Sequence, residues 1–322
     1  MIQVEGLTKK FGSFTAVNNI SFRVDSKEIV GFLGPNGAGK TTTMRILTSY
    51  LAPTSGKASI AGFDVVRNSL EARKRIGYLP ESVPFYPEMR VREYLIFRAK
   101  LKNVPRKERT SRISEVMERC RIKEVENKII GYLSKGYKQR VGLAEAIIHN
   151  PPILILDEPT IGLDPHQIKQ TRELIKELGQ NHTIILSTHI LPEVEMLCNR
   201  VVIIHQGKIA AMDTLSNLIK EQKIKLDIRG TISEIIDVLK QIEGVKSISS
   251  IEDNSWNIIT IELTGEKDIR EDIYRKILEN KWVIREFKTE RMSLEDMFIR
   301  ITAREQFQPA AGGSPPLVGV GS

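Results

Sequence analysis

The chain has 322 residues, of which 41% are hydrophobic and 27% charged, the composition of a globular protein with room for one large or two ordinary domains. Its longest apolar runs, Ile153-Leu154-Ile155-Leu156 and Val201-Val202-Ile203-Ile204, fall far short of the roughly 20 residues that cross a bilayer, so no helical membrane span is expected. The net charge of +8 does not by itself select nucleic acid or an anionic surface, because Lys and Arg are interleaved with Asp and Glu along most of the chain. The two cysteines, Cys120 and Cys198, have no CxxC spacing, which argues against a disulfide framework or a zinc site.

The segment Met1-Ile2-Gln3-Val4-Glu5 has neither the basic start nor the apolar stretch of an export signal, and a cytoplasmic location is expected. Ile29 to Leu33 then reads as a strand buried on both faces. It runs into Gly34-Pro35-Asn36-Gly37-Ala38-Gly39-Lys40-Thr41-Thr42, which fits the P-loop pattern. Glycines there let consecutive backbone N–H groups face the β-phosphate of a nucleotide, with Lys40 against the β- and γ-phosphates and the Thr41 hydroxyl on Mg²⁺. A helix starting near Thr41 adds its N-terminal partial positive charge beneath the phosphates.

From about residue 82 to 150 the rhythm of strand and helix breaks, with Pro80, Pro84 and Pro87 marking a loop before a polar, helical stretch. This region is expected to be a helical subdomain inserted into the sheet. Its densest basic run, from Arg98 through Lys102 and Arg109 to Arg112, reads first as a solvated helical face, with an anionic contact surface as the alternative.

Ile153 to Leu156 is a second buried strand and ends in Asp157-Glu158-Pro159. On extended backbone, adjacent side chains point to opposite sides, so Asp157 is assigned to Mg²⁺ and Glu158 to polarising the water that attacks the γ-phosphate. A third strand from Thr183 to Leu186 delivers His189 to the same carboxyl edge, where open parallel sheets bind ligands. His189 is expected to donate to the γ-phosphate.

Beyond about residue 220, alternating Ile224, Leu226 and Ile228 precede a helical stripe of Ile235, Leu239 and Ile242. Val245 to Ile251, Asn257 to Leu263, Ile269 to Leu278 and Trp282 to Phe287 complete a β-α-β-β-α-β order. A last helix is expected from Ser293, capped through Asp296, with Leu294, Met297, Phe298 and Ile301 on one face. Residues 303–322 read as a disordered tail.

The order of these motifs resembles the nucleotide-binding subunits of ATP-binding-cassette (ABC) transporters over residues 1–220. Leu133-Ser134-Lys135-Gly136-Tyr137 is similar to the family signature Leu-Ser-Gly-Gly-Gln, and Ser134 and Gly136 open a helix whose N-terminus is an anion site. The resemblance implies a P-loop α/β sheet core with an inserted helical subdomain, followed by a small α+β, ferredoxin-like domain over residues 221–302. It also implies ATP and Mg²⁺, and a homodimer in which Ser134 and Gly136 of one subunit face the γ-phosphate held by the other. Phe11 resembles the aromatic that stacks on adenine, with a core position as its alternative, and Asp164 in Gly162-Leu163-Asp164-Pro165 resembles the residue that crosses the dimer interface.

Lys135 and Tyr137 depart from the signature, and Glu81 stands where many members carry Gln. A carboxylate at Glu81 can bind metal directly, yet it also repels the γ-phosphate. Together with Ser293-Leu294-Glu295-Asp296-Met297-Phe298, these variants resemble the ABC-2-type exporters, including gliding-motility-type ATP-binding subunits. That implies an ATPase peripheral on the inner face of the cell membrane, under a separate integral membrane permease. The alternative is a soluble ATP switch acting on the ribosome or nucleic acid. Such proteins usually carry two cassettes or a long coiled-coil insertion, neither of which is visible, so no nucleic-acid partner is expected.

Overall fold

The computed structural model of the chain describes residues 1–218, 222–253, 256–263, 268–291 and 294–298. They form two units, Met1–Leu215 and a second that begins at Ser216. The first runs β1 (Ile2–Phe11), β2 (Phe14–Val24), β3 (Ile29–Leu33), α1 (Lys40–Leu47), β4 (Ser55–Ile60), β5 (Phe63–Asp64), α2 (Ser69–Lys74) and β6 (Ile76–Leu79). Three helices follow, α3 (Val91–Leu101), α4 (Arg109–Arg119) and α5 (Lys135–Ile147). The chain then returns through β7 (Ile153–Asp157), α6 (Pro165–Gly179), β8 (Thr183–Thr188), α7 (Leu191–Leu197), β9 (Arg200–His205) and β10 (Lys208–Thr214), and the short α8 (Leu215–Leu218) carries it onward.

Every residue of β3, β7 and β8 is buried, as near-continuous apolar runs require of strands covered on both faces. They lie in a six-stranded sheet of order β10-β9-β3-β8-β7-β6, parallel from β9 through β6, with β10 antiparallel at one edge. Leu33 is in register with Thr188, and Asp157 with Ser187. Three strands thus finish level, and whatever follows each of them meets at one edge.

A second, antiparallel sheet of order β2-β1-β4-β5 departs from the simple alternation of strand and helix expected of this region. Ile20, Phe22 and Val24 face inward along β2 while Ser21 and Arg23 face out, the pattern of a sheet solvated on one side. Its inner face shares a core with Met44, Ile46 and Leu47 of α1 and with Val30, Phe32, Ile155 and Val202 of the parallel sheet. The Phe22 and Phe32 rings stand 5.5 Å apart within it. Both cysteines are buried, as small apolar side chains are.

In the helical insertion, the Tyr94 hydroxyl donates to Glu145 and Arg98 pairs with the same carboxylate. Arg112 donates to the carbonyls of Ile147 at 2.8 Å and Ile148 at 3.0 Å, where the negative end of α5 favours a cation. Lys100, Arg106 and Lys107 are exposed, but Arg98, Lys102, Arg109 and Arg112 are half-buried. The basic run is therefore divided between solvent and internal bonds rather than presented as one solvated face.

The second unit comprises β11 (Gln222–Arg229), α9 (Ile232–Lys240), β12 (Val245–Asp253), β13 (Trp256–Leu263), α10 (Arg270–Glu279) and β14 (Val283–Arg291). The sheet order β12-β13-β11-β14, antiparallel throughout, is the ferredoxin-like arrangement that the β-α-β-β-α-β order predicts. Ile224, Leu226, Ile228, Ile259 and Ile261 meet Ile235, Leu239, Ile273 and Ile277 of the two helices in its core. Leu294 is buried, whereas Ser293, Ile301 and residues 303–322 lie outside the described residues.

Helix α5 lies directly on β6. A Cβ on Gly77 would come within 2.1 Å of the Ala146 carbonyl oxygen and 2.7 Å of Leu154 Cδ2. Backbone cannot yield as a side chain can, so Gly77→Ala is expected to lower the unfolding free energy by about 1–3 kcal/mol. A urea titration followed by circular dichroism measures this, and an unchanged midpoint would refute the contact.

Candidate functional site

The loop between β3 and α1 closes on itself through Ala38, whose N–H donates to Pro35 O at 3.2 Å. Gly39 caps α1 with φ 106°, and a Cβ there would stand 2.5 Å from Ala16 O, so this turn admits only glycine. Lys40 opens the helix and is 6% exposed. Its ammonium donates to Gly34 O at 2.8 Å and Pro35 O at 3.2 Å and lies 3.6 Å from Glu158 Oε1.

The Thr41 hydroxyl donates to Asp157 Oδ1 at 3.3 Å, and Ser187 donates to the same oxygen. Asp157 Oδ2 is buried with no hydrogen-bond partner. Burial is the chief cause that holds the Asp157 carboxyl above its usual range. The Ser187 and Thr41 hydrogen bonds and the Lys40 charge oppose that rise, and the negative charge of Glu81 adds to it.

Extended backbone does not divide Asp157 from Glu158, contrary to the expectation from their adjacency in the sequence. Strand β7 ends at Asp157, and Glu158 takes a left-handed conformation with φ 50°, which turns its side chain toward the cavity wall. There Glu158 Oε2 lies 3.0 Å from His189 Nδ1, the geometry of an imidazole N–H donating to a carboxylate. Strained backbone of this kind persists only where its surroundings hold it. The Glu158 N–H is bonded to Ser187 O at 3.1 Å and Ser187 Oγ at 3.2 Å.

Phe11, Asn36, Gly37, Gly39, Lys40, Thr41, Thr42, Glu81, Glu158 and His189 line one cavity of about 550 Å³. Gly34, Pro35 and Ala38 belong to the same loop without lining it, and fully buried Asp157 lies beneath Thr41. Phe11 is 49% exposed, which removes the core alternative for it. Ser134 and Gly136 do not line this cavity. Ser134 caps α5 by accepting from Tyr137 N–H at 3.4 Å, and Asp164 caps α6 by accepting from Gln167 N–H at 2.9 Å.

Two contributors escaped the sequence reading. Phe14 lines the cavity beside Phe11 and is 62% exposed; the Gly12-Ser13 turn, which puts the two aromatics at facing ends of a hairpin, was the available signal. Ser187 was findable only from the register that sets it opposite Asp157.

The unpartnered Asp157 Oδ2 beside the Thr41 hydroxyl fits a hard cation that takes few protein oxygens and completes its shell with phosphate and water. Among the described residues there is no group of three or more His, Cys, Asp or Glu that could hold a metal, so the chain would supply only part of such a shell. Among them, too, no helix is long and apolar enough to cross a membrane.

Comparison with known proteins agrees with this geometry. Residues 17–161 match the family described as ABC transporter, and residues 212–302 match the C-terminal domain of DrrA1-3-like ATP-binding proteins. The chain is 42% identical over 229 residues to the bacitracin transport ATP-binding protein BcrA of Bacillus licheniformis, covering 70% of this chain and 74% of that one. It is 29% identical over 309 residues to the linearmycin resistance ATP-binding protein LnrL of Bacillus subtilis, covering 94% and 99%. A solved dimeric ATP-binding cassette in a post-hydrolysis state, bound to ADP and Pi, aligns with a TM-score of 0.62 at 25% identity, covering 67% of this chain and 99% of that one. The chain belongs to the ATP-binding proteins of ABC transporters and is an ATPase.

Proposed function

We propose that this ATPase drives a bacterial ABC-2-type exporter, that two copies close on two shared ATP sites, and that the closure moves a separate membrane permease. The observation that carries this reading is the convergence of Lys40, Glu158 and His189 on one cavity, while Ser134 and Gly136 lie outside it. One subunit then supplies the catalytic wall and its partner the signature wall. The dimeric state of the solved cassette and the transport and resistance names of the relatives support it. The subunit would lie in the cytoplasm against the inner face of the membrane.

Phe11 and Phe14 would stack on the base, and the loop N–H groups and Lys40 would hold the phosphates. Thr41 and Asp157, with Glu81 near them, would hold Mg²⁺, which when bound offsets the phosphate charge. Glu158 would orient the attacking water and accept its proton. His189 would fix Glu158 through Nδ1 and leave Nε2 for the γ-phosphate. The seat for the permease is a second cavity of about 550 Å³ between β6 and the helical insertion, lined by Arg45, Tyr50, Arg73, Val83, Lys102 and Glu145 among others.

Purified protein should hydrolyse ATP with Mg²⁺, and Lys40→Ala should abolish turnover, a site assignment that unimpaired turnover would sink. Glu158→Gln should retain ATP while turnover falls by about 100-fold or more. Size exclusion of that variant with ATP should then show a dimer, and an exclusively monomeric profile would remove the shared site. Glu81→Gln should raise the Mg²⁺ concentration for half-maximal hydrolysis by about tenfold; a Mg²⁺ titration superimposable on wild type would exclude Glu81 from the metal.

A further inference from the structure

Glu193, in α7, is completely buried, yet it lines no cavity described above. One of its oxygens, Oε1, accepts from the Thr160 hydroxyl, and the other, Oε2, accepts from the Thr188 hydroxyl at 2.9 Å. Thr160 stands two residues after Glu158, and Thr188 immediately precedes His189. The Arg172 guanidinium, from α6, lies 3.4 Å from Oε1, and Thr188 Oγ1 also accepts from Ile190 N–H at 3.0 Å. A carboxylate taken wholly out of water is costly unless its oxygens are bonded and its charge is met. The hydrogen bonds come from Thr160, in the loop after β7, and Thr188, at the end of β8, and the charge is met by Arg172 of α6.

We infer that Glu193 is a positioning residue for ATP hydrolysis, whose carboxylate clamps the Glu158 loop to the His189 loop and so sets the Glu158–His189 pair. The inference rests on the reading of that pair as catalytic. The pair is held across two strand ends, and Glu158 sits in a left-handed conformation that the backbone does not adopt unaided. Two anchors hold it: the Ser187 bonds that fix the Glu158 N–H, and the Glu193 bridge two residues further along. Among the described residues, no hydrogen bond of Glu193 reaches the loop between β3 and α1, so the clamp acts on the chemical step and leaves nucleotide binding alone. A residue that serves only the fold would affect both.

The test is steady-state ATP hydrolysis with thermal unfolding of each variant. Glu193→Ala should lower kcat by about 20-fold or more with KM for ATP within about twofold of wild type, the split that marks an interaction used in the transition state. Glu193→Gln should recover kcat to within about threefold, because an amide offers an oxygen to one Thr hydroxyl and an N–H to the other. In a His189→Ala background, adding Glu193→Ala should change kcat by less than about twofold, since a clamp has nothing left to position. If Glu193→Ala does not fold, Thr188→Val carries the same comparison, with a kcat lowered about fivefold that becomes neutral beside His189→Ala.

Wild-type kcat in Glu193→Ala, or losses that multiply fully with that of His189→Ala, would overturn the inference. His189→Ala turning over at the wild-type rate would instead remove the catalytic pair itself. Impaired His189→Ala beside unimpaired Glu193→Ala would remove only the clamp.

Discussion

Lys40, Asp157 and Glu158 are three ionisable side chains sealed almost completely from solvent, at 6%, 0% and 5% exposure. Charges so placed are tolerated only where each finds partners of opposite sign or a full set of hydrogen bonds. The ammonium meets two loop carbonyls and the Glu158 carboxylate, and Asp157 meets two hydroxyls. One oxygen of Asp157 is left over, a single deficit that fits the cation proposed for this site. The parallel sheet exists in this form because only strands ending at one level can supply such partners from β3, β7 and β8 together.

The parts of this site that follow from consecutive residues were legible in the sequence. A phosphate-binding loop is a local object, and Gly34 to Thr42 announces it with a buried strand before and a helix after. The β-α-β-β-α-β order of the second unit was equally legible, because Ile224, Leu226 and Ile228 switch to the helical spacing of Ile235 and Leu239 at one point. Phe11 was found by resemblance and Phe14 was not, although the same hairpin presents both.

What escaped depends on contacts between distant segments. Ser187 matters through its register with Asp157, which no single segment records. Extended backbone does not separate Asp157 from Glu158 because the strand stops at Asp157 and one backbone angle, φ 50° at Glu158, turns the chain there. Nothing in the residues beside Glu193 along the chain marks it as buried. Its burial follows from the closeness of α7 to β3, where Val194 stands within 3.0 Å of a Cβ built on Gly31. The antiparallel sheet was missed for a related reason: strands solvated on one face carry a weaker apolar signal than those buried on two.

Helix α5 begins at the Ser134 cap and, toward its other end, places Glu145 and Ala146 in the wall of the second cavity. Its 13 residues make a rod about 20 Å long, seated on β6 with backbone against backbone at Gly77. At that point backbone meets backbone with no side chain between to absorb a shift, while further along the helix Leu79 and Val83 side chains fill the space at Gly142. The Ser134 cap and the wall of the second cavity therefore belong to one short rod, and a displacement of either is carried by the same helix.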